Sequence, residues 1–200
     1  LEKHLRMPIV DIPDLFGTEE SYARHHELDV EKDVAEVGIF PEYIYQSKKY
    51  RKKDYNKEIK IALKNTKKIQ DILNQYRKEP LSKDWLPLTG FCPECGKDEI
   101  KFFDYDTKDN VKMKCTLCNN TTNVNIKTAD FLKLPWRVDW PMRWNYEQVD
   151  FEPGGKDHST TGGSFSTGKD IVNLYNWTAP SYLMYNFISI KGTGGKISSS

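Results

Sequence analysis

The sequence lacks long apolar runs, a large net charge, and cysteines outside one short segment. Its 200 residues carry 30 Lys or Arg against 29 Asp or Glu, a net charge of +1, so overall charge does not indicate a nucleic-acid partner. No apolar stretch reaches the roughly 18 residues of a membrane helix, and no signal-peptide pattern is present. These absences predict a cytoplasmic protein without a membrane partner.

Cysteine occurs only four times, in two Cys-x2-Cys pairs separated by nineteen residues. This spacing is typical of a structural zinc site, in which four thiolates close a tetrahedral shell and leave no open position for catalysis. Two disulfides are disfavoured without a secretory signal, and a redox Cys-x2-Cys pair is a further alternative. The predicted zinc ligands are Cys92, Cys95, Cys115 and Cys118, with a short hairpin between the pairs.

Periodic patterns indicate three elements in the first part of the chain. Apolar residues at close to helical spacing predict one helix over Asp54–Arg77. A second helix is predicted over residues 18–37, with its valines facing inward, and a strand over Ile39–Gln46. Residues 48–83 hold thirteen Lys or Arg against four acids. A solvated helix face and contact with a polyanion are both consistent with this excess.

The stretch Phe151–Phe165, FEPGGKDHSTTGGSF, contains two Gly pairs, an Asp-His step and four hydroxyl residues. It cannot be a helix interior, because each Gly there costs about 1 kcal/mol relative to Ala. Gly lets a backbone approach a ligand closely, and Asp and His provide directed polar contacts. The stretch alone fits a binding loop and a flexible surface loop equally well.

Two neighbouring stretches favour the binding loop. Trp136–Trp144 contains three of the chain's five tryptophans. Ser181–Ser200 is a strand-like apolar run followed by a Gly-rich turn and Lys-Ile-Ser-Ser-Ser. Backbone N–H groups, hydroxyls and one cation are the groups that bind phosphate, so this end of the chain indicates a phosphate-bearing ligand.

Three motifs, WRVDWP, GGKDHSTTGG and GGKISSS in this order, resemble the class I lysyl-tRNA synthetases of the archaeal and bacterial type. GGKISSS is similar to the second class I signature, KMSKS, which reads KMSSS in this family. PDLFGTEESYARHH near the start and the Cys pairs extend the resemblance over most of the chain.

The resemblance implies an α/β fold, a partial Rossmann-type class I synthetase catalytic core with an inserted small zinc-ribbon unit. Residues 1–87 would form part of the core, residues 88–127 the zinc ribbon, and residues 128–200 the second half of the core with the GGKDH and KISSS motifs.

The activity implied by the resemblance is that of a lysine–tRNA ligase. Such an enzyme uses ATP with Mg²⁺ to convert lysine to lysyl-adenylate and pyrophosphate, and then transfers lysine to tRNA(Lys). The Zn²⁺ would be structural, the partners would be lysine and tRNA(Lys), and we expect a monomer. The alternative is a zinc-ribbon RNA-binding module without catalysis.

Matching positions in the motifs imply roles for individual residues. Lys196 would neutralise charge on the β- and γ-phosphates, and Ser198 and Ser199 would donate hydrogen bonds beside it. The Asp157 carboxylate would hold the ribose of ATP. The ATP-binding residues would be Gly154, Gly155, Asp157, Gly194, Gly195 and Lys196. The lysine-binding residues would be Trp136, His158 and Tyr185.

The chain departs from the family pattern in two ways. The first class I signature, HIGH, is absent, since His25-His26 is not followed by Ile-Gly. A C-terminal helical anticodon-binding region is absent too. We therefore expect the chain to be a piece from the middle of a catalytic domain that is inactive by itself.

Overall fold

The computed structural model describes residues 2–187 and Ser189, and it has an α/β architecture with two compact units. The first unit is formed by residues up to 59 and residues 88–133, and the second by residues 60–87 and those from 134 onward. The predicted division at residues 87 and 127 stays a prediction. In the described part of the chain, no helix is both long and apolar enough to cross a bilayer.

Along the described residues, four α-helices are followed by five strands, and helices and strands then alternate. The α-helices are α1 (Tyr22–Glu36), α2 (Gln46–Arg51), α3 (Asn56–Lys64), α4 (Thr66–Asn74), α5 (Trp136–Tyr146) and α6 (Ser164–Ile171). The strands are β1 (Thr89–Gly90), β2 (Ile100–Phe103), β3 (Asn110–Cys115), β4 (Thr121–Asn125), β5 (Leu132–Lys133), β6 (Phe151–Gly155) and β7 (Ser181–Tyr185). A 3-10 turn follows β6 at Lys156–His158.

The first unit contains an antiparallel sheet in the order β2-β3-β4, beside a short β1–β5 pair. The β2–β3 hairpin confirms the one predicted between the Cys pairs, and β3 alternates exposed and buried residues as a strand with one solvated face does. Asp106 shapes the hairpin loop. Its carboxylate accepts hydrogen bonds from Asn110 and from the backbone N–H of Lys108, which lower its pKa to about 2.

Helix α1 begins where Ser21 caps it, with its Oγ accepting from the backbone N–H of Arg24 at 3.1 Å. The helix itself was predicted, but the inward orientation was wrong for two of its three valines: Val30 is 57% exposed and Val37, just after the helix, is 72% exposed, whereas Val34 is half-buried. Polar contacts fix the helix instead. Arg24 pairs with Glu31 at 2.6 Å and donates to the Tyr45 hydroxyl at 3.2 Å.

Two further predictions for this region need correction. Residues 39–45, expected in a strand, have no regular secondary structure, and Phe40 is 81% exposed. The single helix predicted over 54–77 is two helices, because side chains at the junction take up backbone carbonyls. Asn65 donates to the Ile61 carbonyl at 3.0 Å, and Thr66 donates to the Leu63 carbonyl at 2.7 Å. Its apolar stripe is largely buried, as predicted.

The second unit packs α5 and α6 beside a parallel pair of strands. Strands β6 and β7 pair from Phe151↔Ser181 to Gly155↔Tyr185. Trp140, Trp144 and Val172 form a buried cluster, covered by partly buried apolar residues that include Phe165 and Tyr182. This packing places the Gly-rich stretch after β6 beside the tryptophans of α5.

Candidate functional site

The four cysteines of the first unit come together in one cluster. The Sγ atoms of Cys92 and Cys118 lie 3.6 Å apart, those of Cys95 and Cys115 lie 3.7 Å apart, and all four fall within 4.8 Å of one another. A tetrahedral zinc ion with Zn–S bonds of about 2.3 Å would separate its sulfurs by roughly 3.8 Å. The cluster therefore has the donor set and dimensions of a four-sulfur metal site.

The protein shifts the thiols of the cluster in different directions. Burial raises the pKa of Cys95, and at Cys118 the backbone N–H of Asn120 favours the thiolate but burial and the other cysteines raise the pKa to about 12. Burial raises the pKa of the Cys115 thiol, but the backbone N–H groups of Cys118 and Leu117 donate to its sulfur, and the net effect is a pKa lowered to about 7.

Gly96 follows the first pair with φ at +71° and Asn119 follows the second with φ at +61°, so each Cys pair ends in a left-handed turn. The turns let both thiolates of a pair point inward.

In the second unit, three tryptophans lie along one face of α5, at every fourth residue. The rings of Trp136 and Trp140 are stacked with centroids 5.1 Å apart, and Trp144 is 5.2 Å beyond Trp140. The face runs from solvent to core, because Trp136 is 45% exposed and Trp144 is fully buried. Trp136 Nε1 donates to Ser164 Oγ at 3.2 Å, which fixes the exposed ring at its edge.

His158 lies against the solvent end of this tryptophan face. Its ring centroid is 6.1 Å from that of Trp136 and 5.8 Å from that of Trp140. The guanidinium of Arg143 is 5.4 Å from the Trp136 ring and pairs with Asp139 at 2.9 Å. The result is a partly exposed aromatic surface with an imidazole beside it, which suits an alkyl chain that ends in a cation.

Arg137 and Asp139 lie two residues apart on α5 and contact different parts of the protein. On a helix, side chains two residues apart point in different directions, whereas those four apart are neighbours. Asp139 accordingly pairs with Arg143, and Arg137 donates to the Gly162 carbonyl at 2.7 Å. The first contact lies within α5, and the second joins α5 to the Gly-rich stretch.

In the GGKDHS turn, Gly154–Ser159, neighbouring side chains occupy the space that a side chain on either glycine would need. A Cβ at Gly154 would lie 2.0 Å from the Tyr182 hydroxyl. At Gly155 it would lie 2.5 Å from Asp157 Oδ1 and 3.9 Å from the Tyr185 ring. Gly155, Asp157 and Tyr185 are therefore close together, and His158 continues the same turn toward the tryptophans.

The predicted site residues fall into three groups. The cysteines cluster in the first unit, and Trp136, Gly154, Gly155, Asp157, His158 and Tyr185 lie around the GGKDHS turn in the second. The rest lie outside the described residues: Gly194, Gly195, Lys196, Ser198 and Ser199.

Sequence reasoning missed Trp140, Ser159 and Tyr182, which complete the surroundings of His158. Trp140 could have been found from the spacing of the tryptophans, since residues at i, i+4 and i+8 share one helix face. Tyr182 had no local signal. Its proximity to Ser159, with 2.7 Å between the hydroxyls, depends on the parallel pairing of β6 and β7.

Comparison with known proteins gives a family and full-length relatives. The family model described as tRNA synthetases class I (K) matches residues 1–200. The lysine–tRNA ligase of Borrelia garinii subsp. bavariensis is 48% identical over 200 residues, which cover 100% of this chain and 38% of that protein. The lysine–tRNA ligases of Treponema pallidum and Thermococcus kodakarensis are 47% and 41% identical, with the same coverage. The chain thus spans 38% of the length of these relatives.

Proposed function

We propose that this chain, which belongs to the family of class I tRNA synthetases (K), is part of a lysine–tRNA ligase. The observation that carries the proposal is the family match over residues 1–200, together with relatives of that name at up to 48% identity. The proposed reaction converts lysine and ATP to lysyl-adenylate and pyrophosphate, and then passes the lysyl group to tRNA(Lys). Since the chain spans 38% of these relatives, the reaction belongs to a longer protein.

The surface around His158 supports the choice of amino acid. We assign Trp136, His158 and Tyr185 to the lysine pocket. The substrate's four-carbon stem would lie along exposed aromatic rings, where apolar and cation–π contacts add, and its charged groups would face polar side chains. Trp136 is held in place by its hydrogen bond to Ser164, so the pocket wall is preorganised.

The ATP assignments rest on the GGKDHS turn and on the KISSS motif. Asp157 is 52% exposed at its side chain and can accept hydrogen bonds from ribose hydroxyls, with Gly154 and Gly155 beside it. Lys196, Ser198, Ser199, Gly194 and Gly195 are assigned to the phosphates by their motif alone. In-line attack of a carboxylate on the α-phosphate needs positioning and charge stabilisation, for which the lysine and substrate-bound Mg²⁺ are suited.

The finer fold assignment is a Rossmann-type core with a zinc-ribbon insertion. Parallel sheets are ordinarily covered on both faces and extend over several strands. The β6–β7 pair has apolar residues in the open, with Leu183 and Met184 58% and 53% exposed, which supports its being one part of a larger parallel sheet. The four-cysteine cluster supports the ribbon, where Zn²⁺ would be held by the four thiolates and would supply structural cross-linking.

Two further predictions follow from this assignment. A translation enzyme of this kind would work in the cytoplasm. Its expected monomeric state stays a prediction.

The proposal is tested by aminoacylation of tRNA(Lys) with the longest natural chain that contains this sequence. We expect aminoacylation that depends on lysine. In His158→Ala we expect kcat/KM for lysine to fall by about tenfold or more, which corresponds to a loss of about 1.4 kcal/mol of transition-state stabilisation. The matched control is His26→Ala, an exposed histidine of α1, which should leave the kinetics unchanged.

Lys196→Ala should lower adenylate formation, measured as ATP–pyrophosphate exchange with tRNA present, whereas Lys68→Ala should not.

Other outcomes would redirect the assignment. Activity with an amino acid other than lysine would keep the family and overturn the lysine pocket. Inactivity of a folded, zinc-loaded long chain would favour the RNA-binding module. In that case RNA affinity should depend on the cysteines and on Lys48–Lys68 and be indifferent to Lys196.

A further inference from the structure

Tyr182 lies over the GGKDHS turn although it belongs to a different strand. In the parallel register, Glu152 of β6 is the partner of Tyr182 in β7. The phenol ring reaches two residues further along β6, so that its hydroxyl occupies the space where Gly154 has no side chain. The strand pairing and the absence of a Cβ at Gly154 together bring the Tyr182 hydroxyl to the turn.

The hydroxyl takes part in a directed chain of hydrogen bonds. Ser159 Oγ lies 2.9 Å from the Gly155 carbonyl and 2.7 Å from the Tyr182 hydroxyl. A carbonyl can only accept, so Ser159 must use its single proton toward Gly155. Tyr182 is therefore the donor to Ser159, and the chain runs from Tyr182 through Ser159 to Gly155. Consecutive hydrogen bonds of one direction strengthen one another.

These bonds close the turn that contains two predicted substrate residues. The bond from Ser159 to Gly155 spans the part of the turn in which Asp157 and His158 lie. Within this segment the backbone N–H of Ser159 also donates to the Lys156 carbonyl, at 3.1 Å. The Ser159 hydroxyl, aligned by Tyr182, therefore sets the separation of the two ends of this part of the turn and so the directions of Asp157 and His158.

Tyr182 itself is held from the opposite side. Its ring stacks on Phe165 with centroids 3.6 Å apart and planes 19° from parallel. Phe165 in turn contacts Trp144, whose ring centroid is 5.5 Å away and which is fully buried. The phenol is thus anchored in the core at its ring and delivers its hydroxyl to the turn at its tip.

We propose that Tyr182 is a positioning residue for the amino-acid and ATP site, acting through Ser159 to hold Asp157 and His158 in their productive orientation. The inference rests on the proposed function and adds to it a residue that touches neither substrate. With a looser turn, Asp157 and His158 would spend less time in the orientation that contacts the substrates, so lysine and ATP would bind more weakly.

The test is steady-state aminoacylation by Tyr182→Phe in the longest natural chain that contains this sequence. This change keeps the ring stacked on Phe165 and removes only the donor to Ser159. We expect KM for lysine and for ATP to rise, and kcat/KM to fall by about fivefold, the size expected from one neutral hydrogen bond. The melting temperature should change no more than in the matched control Tyr105→Phe. That variant also loses one tyrosine hydrogen bond, but in the first unit.

Coupling between the two hydroxyls provides the second measurement. Ser159→Ala should have an effect like that of Tyr182→Phe, and the double variant should be no worse than either, because each breaks the same chain. Ser159→Thr keeps a hydroxyl, so it should retain most of the kcat/KM that Ser159→Ala loses. Additive effects in the double variant would overturn the proposal. A Tyr182→Phe variant with lower kcat, unchanged KM and a lowered melting temperature would overturn it as well.

The wild-type reaction separates this inference from the function on which it rests. Without lysine-dependent activity in the wild type, the proposed function fails. If the wild type is active and Tyr182→Phe has the same kinetics as the wild type, the proposed function stands and the positioning role of Tyr182 fails.

Discussion

Single glycines in the second unit make room for aromatic rings. Gly168 lies in α6, and a Cβ there would come within 2.8 Å of Cη2 and 3.0 Å of Cζ3 of Trp144. Trp144 is fully buried, and its Nε1 donates to Glu152 at 3.0 Å, so the indole cannot move aside without losing that bond. Close approach of α6 to α5 therefore depends on the missing side chain.

Gly168→Ala should destabilise the protein despite the better helix propensity of alanine. The propensity gain is about 1 kcal/mol, whereas overpacking a filled core costs about 1–3 kcal/mol, so we expect a net loss of up to about 2 kcal/mol. Thermal or urea unfolding measures it. Asp170→Ala, at an exposed position of the same helix, is the control and should stay within about 0.5 kcal/mol of wild type. Equal stability of Gly168→Ala and wild type would show that Trp144 has room to shift.

At the scale of elements, β2, β3 and β4 form a small sheet, and the four cysteines cluster in the same unit. The sheet is three strands of four to six residues, too little apolar surface to fold independently on packing alone. A four-thiolate zinc site contributes folding free energy directly, with apparent values of about 10–16 kcal/mol in small zinc domains. The metal is thus expected to hold this element together.

We expect about one zinc ion per chain by elemental analysis, and loss of most of it in Cys118→Ser. Removal of zinc with a chelator should lower the unfolding midpoint, because the metal would bind the folded form more tightly than the unfolded chain. Leu117→Ser is the matched control, since it introduces the same residue at the neighbouring exposed position and should keep the metal. Purified wild type with intact thiols but no metal, or with iron in place of zinc, would contradict the assignment.

At the scale of the whole molecule, two compact units carry different parts of the predicted chemistry. The cysteine cluster belongs to the first unit and the aromatic surface around His158 to the second. The matched relatives are much longer, and the chain covers 38% of each. In addition, the first class I signature has no counterpart in this sequence.

These facts predict different behaviour for the piece and for the protein that contains it. The 200-residue piece should show no lysine-dependent ATP–pyrophosphate exchange, because it lacks a counterpart of the first signature for the ATP phosphates. The longest natural chain should show exchange when lysine and tRNA(Lys) are present. Both proteins are assayed side by side at equal zinc content. Exchange by the piece alone would mean that residues 1–200 suffice for adenylate formation.

Some features followed from sequence because short-range chemistry determines them. The spacing of the Cys pairs predicted a cluster that the structure confirms, since two intervening residues let both thiolates of a pair point to one centre. The motifs WRVDWP, GGKDHSTTGG and GGKISSS predicted the family, which the match over residues 1–200 confirms. Helical periodicity predicted most of the buried residues of 54–77, but not the break at Asn65, where side-chain hydrogen bonds compete with the helix.

Other features were decided by tertiary structure. Val30 and Val37 fit an inward stripe by spacing, yet they are exposed, because periodicity identifies a face and not the presence of anything to pack against it. The contacts of Tyr182 with Gly154 and Ser159 join residues 23 to 28 positions apart, through a parallel pairing that no local pattern encodes. The sequence by itself determined the family and the four cysteines that cluster. Only the fold decided which aromatic rings surround His158 and what holds its turn, because those contacts depend on strand register and helix packing.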